Sequence, residues 1–156
     1  MIERYEGYGR SVVLGAERGP YPTHAYDVPE DFNSELWRWG NAGMVIGPGG
    51  DRRNALEGGY ALEDWTRFGH VSDQHALGLY FCRYRNRRKA TVDYRRALVA
   101  NCHAGTDDPS LYEIHLDRLH EGYTGTLPAS MHFFVDGNEH AYDSFASLYG
   151  LRSCIL

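Results

Sequence analysis

The chain has 156 residues, of which 42% are hydrophobic, and its 16 basic and 21 acidic residues give a formal net charge of −5. This length predicts a single globular domain over residues 1–156 with a substantial hydrophobic core, and the composition excludes a disordered protein. No apolar run reaches the roughly 20 residues that cross a bilayer. The N-terminal residues also lack the apolar stretch of a secretion signal, so a cytoplasmic protein without a membrane segment is expected.

The N-terminal quarter of the chain predicts a strand and then a helix. Residues 11–14 form a short apolar run that favours a strand. Residues 29–40 favour a helix, because Pro29 suits the first helical position and Gly40 suits the exit. Three large apolar residues of this helix recur at helical spacing and predict one buried face. They are Phe32, Leu36 and Trp39.

A glycine-rich stretch divides the next two predicted elements. Residues 44–46 are apolar and predict a short buried strand. Residues 47–59 contain five glycines in thirteen positions, which predicts a long surface loop. Residues 60–68 have large apolar residues at a spacing of three and predict a short helix.

The central part of the chain contains the clearest strand pattern and an ambiguous segment behind it. Leucine and phenylalanine occupy alternate positions of residues 76–84, which is typical of a half-buried strand. Residues 90–100 then form the return strand of a hairpin, or residues 87–96 form a short helix that leads into a strand over residues 97–102. Thr91 and Val92 favour the first alternative slightly, because β-branched residues are enriched in strands.

The last third of the chain predicts mainly strands. Residues 107–110 favour a turn, and residues 112–117 fit either a half-buried strand or a helix that begins with a capping box. Residues 131–135 predict a strand that ends in a turn at residues 136–137. The predicted fold class is therefore α+β, with a β-rich second half of antiparallel strands and one or two short helices.

Metal and disulfide chemistry have little support in the sequence. The three cysteines lack C-x-x-C spacing, and an odd number does not fit a disulfide framework. His70 and His75 are five residues apart, as are His115 and His120, whereas two ligands on one helical face need a spacing of four. We therefore expect no bound metal.

The positive charge of the chain is concentrated in one segment. Residues 78–96 hold seven of the sixteen basic residues and a single acid, Asp93, so this segment has a net charge of +6 and the rest of the chain −11. Arginine binds carboxylate and phosphate in a bidentate way, which suits an anionic ligand or partner. The alternative is a solvated turn that pairs with acids of the same protein. The bases expected to meet a protein or nucleotide partner are Arg83, Arg85, Arg87, Arg88 and Lys89.

Several short motifs, read in order, resemble a small ADP-ribosyltransferase of the poly(ADP-ribose)-polymerase-like type. An early histidine, His24, precedes the predicted helix and the Gly-hydrophobic step over residues 43–47. The Gly-Leu-Tyr-Phe motif at residues 78–81 comes next, followed by residues 97–105 and by residues 132–136. This order covers most of the chain, although each motif is short.

The resemblance implies NAD as the cofactor and assigns catalytic roles to three residues. His24 would hold the nicotinamide ribose, Tyr80 would stack on the nicotinamide ring, and Asp136 would supply the carboxylate that stabilises the developing oxocarbenium ion. The family's glutamate position falls near Met131, where no acid occurs, so the resemblance implies a weak transferase, an NAD hydrolase or an inactive relative. The residues implied in cofactor binding are Arg83, Arg85 and Tyr94.

Two other classes of function fit the same composition. The first is a non-enzymatic interaction protein, such as a viral or phage structural protein, an anti-defence protein or an immunity-type partner. It would bind an acidic partner through residues 83–96, with its tyrosines and tryptophans as interface anchors. The second is a small RNA-binding module that uses arginines and tyrosines of residues 80–96, although a net charge of −5 does not favour nucleic acid. The oligomeric state stays open.

Overall fold

The computed structural model describes residues 1–19, 38–62, 72–84, 89–102, 112–115, 118–121 and 125–133. Within these ranges the chain forms three helices and seven strands. The helices are α1 (Ile2–Glu6), α2 (Gly49–Tyr60) and α3 (Asp73–Tyr84). The strands are β1 (Val12–Glu17), β2 (Trp39–Ile46), β3 (Ala90–Val92), β4 (Val99–Cys102), β5 (Tyr112–His115), β6 (Arg118–Glu121) and β7 (Ser130–Phe133). None of the helices in these ranges is long and apolar enough to cross a membrane.

β1 is the central strand of a three-stranded sheet with the order β2-β1-β3. It runs antiparallel to β2 and parallel to β3, and all six of its residues are buried. The register with β2 shifts between Leu14 and Gly15, which places a bulge in the middle of the strand. β4 also lies against β1, since the Asn101 amide donates a 2.8 Å hydrogen bond to the Ala16 carbonyl.

The helices α2 and α3 pack against each other and against this sheet. A Cβ on Gly59 would lie only 2.0 Å from the Ala76 carbonyl oxygen, so the backbones of the two helices are almost in contact. Leu77 and Phe81 of α3 join Leu14 of β1 in the hydrophobic core. The core therefore lies between the sheet and the helix pair.

The second half of the chain is rich in strands, and the α+β class is confirmed. β4 and β7 pair in parallel, whereas β5 and β6 form an antiparallel pair. The pairing of this half is therefore mixed. The strands predicted over residues 11–14, 44–46 and 131–135 have counterparts, as does the strand over residues 97–102 of the second alternative. Of the two alternatives for residues 112–117, the strand is found, over Tyr112–His115.

The strand predicted over residues 76–84 is wrong, because these residues form most of α3. The alternation of apolar residues is real, but Leu77, Tyr80 and Phe81 also recur at i, i+3 and i+4, which is a helical face. These three residues are buried, whereas Leu79 between them is only partly buried. Packing against β1 and α2 selects the helical arrangement of an ambiguous pattern.

The surface loop predicted over residues 47–59 is also wrong, because α2 begins at Gly49 and continues to Tyr60. Glycine inside a helix costs roughly 1 kcal/mol relative to alanine, which is why the sequence favours a loop. Gly59 can approach α3 this closely only because it has no side chain. Burial at this contact outweighs the low helix propensity of glycine.

Two further predictions fail at their boundaries. The helix predicted over residues 29–40 does not reach its expected exit, since Trp39 and Gly40 belong to β2, and its earlier part lies outside the described residues. Neither alternative for the segment after α3 holds completely, because a turn separates β3 from β4. The predicted helix over residues 87–96 is wrong from Ala90 onward.

Some predictions fall where the structure gives no description. Tyr60 ends α2, and residues 63–68 of the helix predicted there lie outside the described residues. The turns predicted at residues 107–110 and 136–137 lie outside them as well.

Candidate functional site

The residues assigned to an NAD site are only partly described. His24, Asp136 and Arg85 lie outside the described residues, so their positions relative to one another stay predictions. Tyr80 lies on α3 with 8% of its surface exposed, and its ring packs over Gly58 at 3.1 Å from an ideal Cβ at that position. Tyr80 is thus a core residue of the α2–α3 contact.

The basic segment presents three of its described cations to solvent. Arg83 is exposed in the last turn of α3, Lys89 is exposed just before β3, and Arg95 is exposed just after it. Arg96 differs, because it is fully buried and donates a 2.9 Å hydrogen bond to the Asn101 carbonyl. We call Arg83, Lys89 and Arg95 together the basic surface; Arg87 and Arg88 lie outside the described residues.

The tyrosines beside the basic surface are already in contact with its cations. The Lys89 ammonium lies 5.6 Å from the centre of the Tyr84 ring, and the Arg95 guanidinium lies 5.4 Å from that of Tyr94. Tyr8 meets the Tyr94 ring edge-on at a centroid distance of 6.0 Å. Cation–π contacts of this kind hold the cation beside the ring and occupy a face that a nucleobase would otherwise stack on.

The three cations of the basic surface have no acidic partner within the part of the chain that the structure describes. No described carboxylate oxygen lies within 4.0 Å of them, whereas Arg53 on α2 pairs with Glu57 at 3.8 Å. The single acid of the segment, Asp93, is 1% exposed and binds backbone amides and a tyrosine. The interpretation that the basic segment pairs with acids of its own protein therefore has no support among these residues.

Asp93 organises the turn between β3 and β4. Its carboxylate accepts hydrogen bonds from the backbone N–H groups of Ala97, Leu98 and Val99 at 2.8–2.9 Å, and from the Tyr8 hydroxyl. Burial raises the pKa of Asp93, while these hydrogen bonds act in the opposite direction. The sequence shows Asp93 only as the one acid among seven bases, and that isolation is the signal by which its structural role could have been found. We call residues 93–97 the Asp93 turn.

A second buried carboxyl, Glu17, lies at the end of β1 and was not predicted from the sequence. Its side chain is 2% exposed and accepts hydrogen bonds from the Asn41 amide of β2 at 3.0 Å and from the Gln74 amide of α3. Burial raises the pKa of Glu17 from 4.5 to about 7, although both hydrogen bonds oppose the rise. The only signal for Glu17 in the sequence is that an acidic residue ends an apolar strand.

The raised pKa of Glu17 predicts that stability falls as the pH rises. Between pH 4.5 and about 7 the folded carboxyl binds a proton more readily than the unfolded one, so deprotonation favours unfolding. Glu17 alone should lower the free energy of unfolding by at most about 1.4 kcal/mol per pH unit in this window and contribute no further decrease above it. Urea unfolding at several pH values, followed by tryptophan fluorescence, measures this slope.

The matched variants are Glu17→Gln and Glu6→Gln, which remove a buried and an exposed carboxyl respectively. Glu17→Gln should flatten the dependence between pH 4.5 and about 7, since an amide does not titrate, and Glu6→Gln should leave it as in the wild type. An unchanged slope in Glu17→Gln would show that this carboxyl does not take up a proton on folding.

The described residues contain no group of three or more histidine, cysteine or acidic side chains arranged to hold a metal ion. Comparison with known proteins adds no assignment to these sites. No protein-family model matches the chain, and no curated protein matches it.

Proposed function

We propose that the protein is a non-enzymatic interaction protein that binds an acidic protein partner through the basic surface. The observation that supports this function is the exposure of Arg83, Lys89 and Arg95, none of which has a carboxylate within 4.0 Å among the described residues. Exposed surface cations attract a partner of opposite charge and raise its association rate.

Chain connectivity and one ring contact limit the separation of the three cations of the basic surface. Lys89 and Arg95 flank the three-residue strand β3, so their backbones are separated by less than about 20 Å at 3.3 Å per residue. Arg83 and Lys89 both lie beside Tyr84, one as its neighbour in the chain and the other over its ring.

The environment of Tyr80 favours this proposal over an NAD-binding enzyme. A ring that stacks on nicotinamide must be accessible, and Tyr80 is 8% exposed beneath α2. The Gly-Leu-Tyr-Phe motif that resembles a transferase strand lies inside the helix α3. Both observations reduce the support for the transferase, which stays the second candidate through His24 and Asp136.

The tyrosines also favour a protein partner over RNA. Single-stranded RNA is held by bases stacked on open aromatic faces. Tyr84 and Tyr94 each have a cation beside the ring, and Tyr80 is buried.

Charge reversal on the basic surface should weaken the binding of an acidic polypeptide. The probe is fluorescein-labelled poly-L-glutamate, titrated by anisotropy at low ionic strength. The double variant Arg83→Glu/Arg95→Glu should weaken binding at least about tenfold, because two attractive contacts become repulsive. The control Arg52→Glu/Arg53→Glu changes the net charge equally on the exposed side of α2 and should weaken it less than about threefold.

Three outcomes would contradict the proposal. Equal weakening by both double variants would mean that only net charge matters. Tight binding of labelled oligouridylate that the Arg83→Glu/Arg95→Glu variant loses would favour the RNA-binding module. Heat from millimolar NAD in calorimetry would favour the transferase. Circular dichroism of each variant checks that the fold is kept.

A further inference from the structure

We infer that Arg95 is the anchor of the basic surface, and that it binds one carboxylate of the acidic partner in a bidentate way. This inference rests on the proposed function and assigns unequal roles to the bases of that surface. It comes from the difference between Arg95, which is held by its surroundings, and Arg83, for which the described residues provide no such contacts.

The Asp93 turn is fixed first by its own carboxylate. Asp93 binds three successive backbone N–H groups at 2.8–2.9 Å, and the Arg96 N–H donates back to the Asp93 carbonyl at 2.8 Å. Arg96 has a φ of 52°, a left-handed conformation that side chains other than glycine seldom adopt. Its buried guanidinium donates to the Asn101 carbonyl, which fixes this residue in place.

Two other segments of the chain hold the outer side of the same turn. The Thr126 hydroxyl lies 3.1 Å from the Arg95 carbonyl and 3.2 Å from the Arg96 carbonyl. The Arg4 guanidinium of α1 donates to the Ala97 carbonyl at 2.8 Å. The backbone around Arg95 is therefore bonded on both sides, and an unusual conformation maintained by so many contacts is a feature of recognition sites.

The side chain of Arg95 is also supported. Its guanidinium lies over the Tyr94 ring, which the Tyr8 ring meets edge-on, and the Tyr8 hydroxyl binds Asp93. A guanidinium beside a ring keeps its N–H groups free to pair with a carboxylate. Because hydrogen bonds hold the backbone and a ring lies beside the guanidinium, binding should cost less conformational entropy at Arg95 than at an arginine without such contacts.

Arg83 lacks this support among the described residues. Arg83 lies on the solvent-exposed side of the last turn of α3. No ring, carboxylate or carbonyl of the described chain holds its guanidinium. It contributes charge without a fixed geometry. The two arginines thus form a natural pair for comparison.

The test replaces each arginine by lysine, which keeps the charge and removes the planar fork. With labelled poly-L-glutamate as the probe, Arg95→Lys should weaken binding about tenfold, and Arg83→Lys less than about twofold. Tyr8→Phe keeps the ring and removes the hydroxyl that binds Asp93. Because Arg95 would be held less firmly, Tyr8→Phe should weaken binding about threefold. In the double variant with Arg95→Lys, Tyr8→Phe should add little further loss.

The outcomes separate this inference from the proposed function. Equal losses from Arg95→Lys and Arg83→Lys would overturn the anchor role and leave the basic surface as a diffuse attraction. Additive losses from Tyr8→Phe and Arg95→Lys would overturn the positioning by Tyr8. If the wild type does not bind poly-L-glutamate, the proposed function itself fails. Thermal unfolding of every variant distinguishes lost binding from lost folding.

Discussion

Replacing Asp93 with alanine should lower the free energy of unfolding by roughly 3–5 kcal/mol, because buried N–H donors lose their acceptor. The backbone groups of Ala97, Leu98 and Val99 all bind this carboxylate, and Tyr8 donates to it as well. The turn that joins β3 to β4 would have no other acceptor of this kind among the described side chains. Urea unfolding monitored by tryptophan fluorescence measures the loss.

Asp93→Asn is the conservative companion to this variant. Asparagine keeps one oxygen of the carboxylate and replaces the other by an N–H₂ group. The donors at the kept oxygen stay bound, whereas the donors at the other position face a second donor. We expect about half of the loss caused by alanine. A loss below about 1 kcal/mol for Asp93→Ala would mean that water replaces the carboxylate and that the turn does not depend on it.

Gly59→Ala should destabilise the fold by roughly 3 kcal/mol, although alanine is the better helix former. The new Cβ would lie 2.0 Å from the Ala76 carbonyl oxygen and 2.5 Å from its carbonyl carbon. Those atoms belong to the backbone of α3, so no rotamer change relieves the overlap and α2 must move away. The same unfolding experiment reports the effect.

Gly50→Ala should have the opposite effect on the free energy of unfolding, although it lies in the same helix. Nothing lies within 4 Å of the Cβ position at Gly50, which is exposed in the first turn of α2. Alanine there should stabilise the protein by roughly 0.5–1 kcal/mol through its helix propensity. If both substitutions stabilised the protein, the close contact between α2 and α3 would be wrong.

The sequence predicts the strands of this fold better than its helices. The apolar runs that become β1 and β2 have no competing pattern, and strands are found at both of them. The glycines of α2 make its sequence resemble a loop. Their role in close packing is seen only in the structure, where α3 lies against them. α3 satisfies a strand period and a helix period at once, and only its neighbours decide between them.

The candidate site was predicted from its charge and not from its geometry. The excess of bases near Arg83 and Arg95 is visible in the sequence, but the buried position of Tyr80 depends on α2 and cannot be read locally. The role of Asp93 depends on the backbone path of a turn, and that of Glu17 on amides from β2 and α3. Contacts between segments that are far apart in the chain leave no pattern in the local sequence.

The order in which the strands of the central sheet are joined has a consequence for biosynthesis. β1 pairs in parallel with β3, and Val12 meets Ala90, a residue that is translated 78 positions later. At 5–20 residues per second, β1 waits roughly 4–16 s for this neighbour after it is made. During that interval the nascent chain has an apolar strand with at least one unpaired edge, which is a template for aggregation. Binding of the emerging chain by a chaperone should therefore be strongest before Ala90 is synthesised.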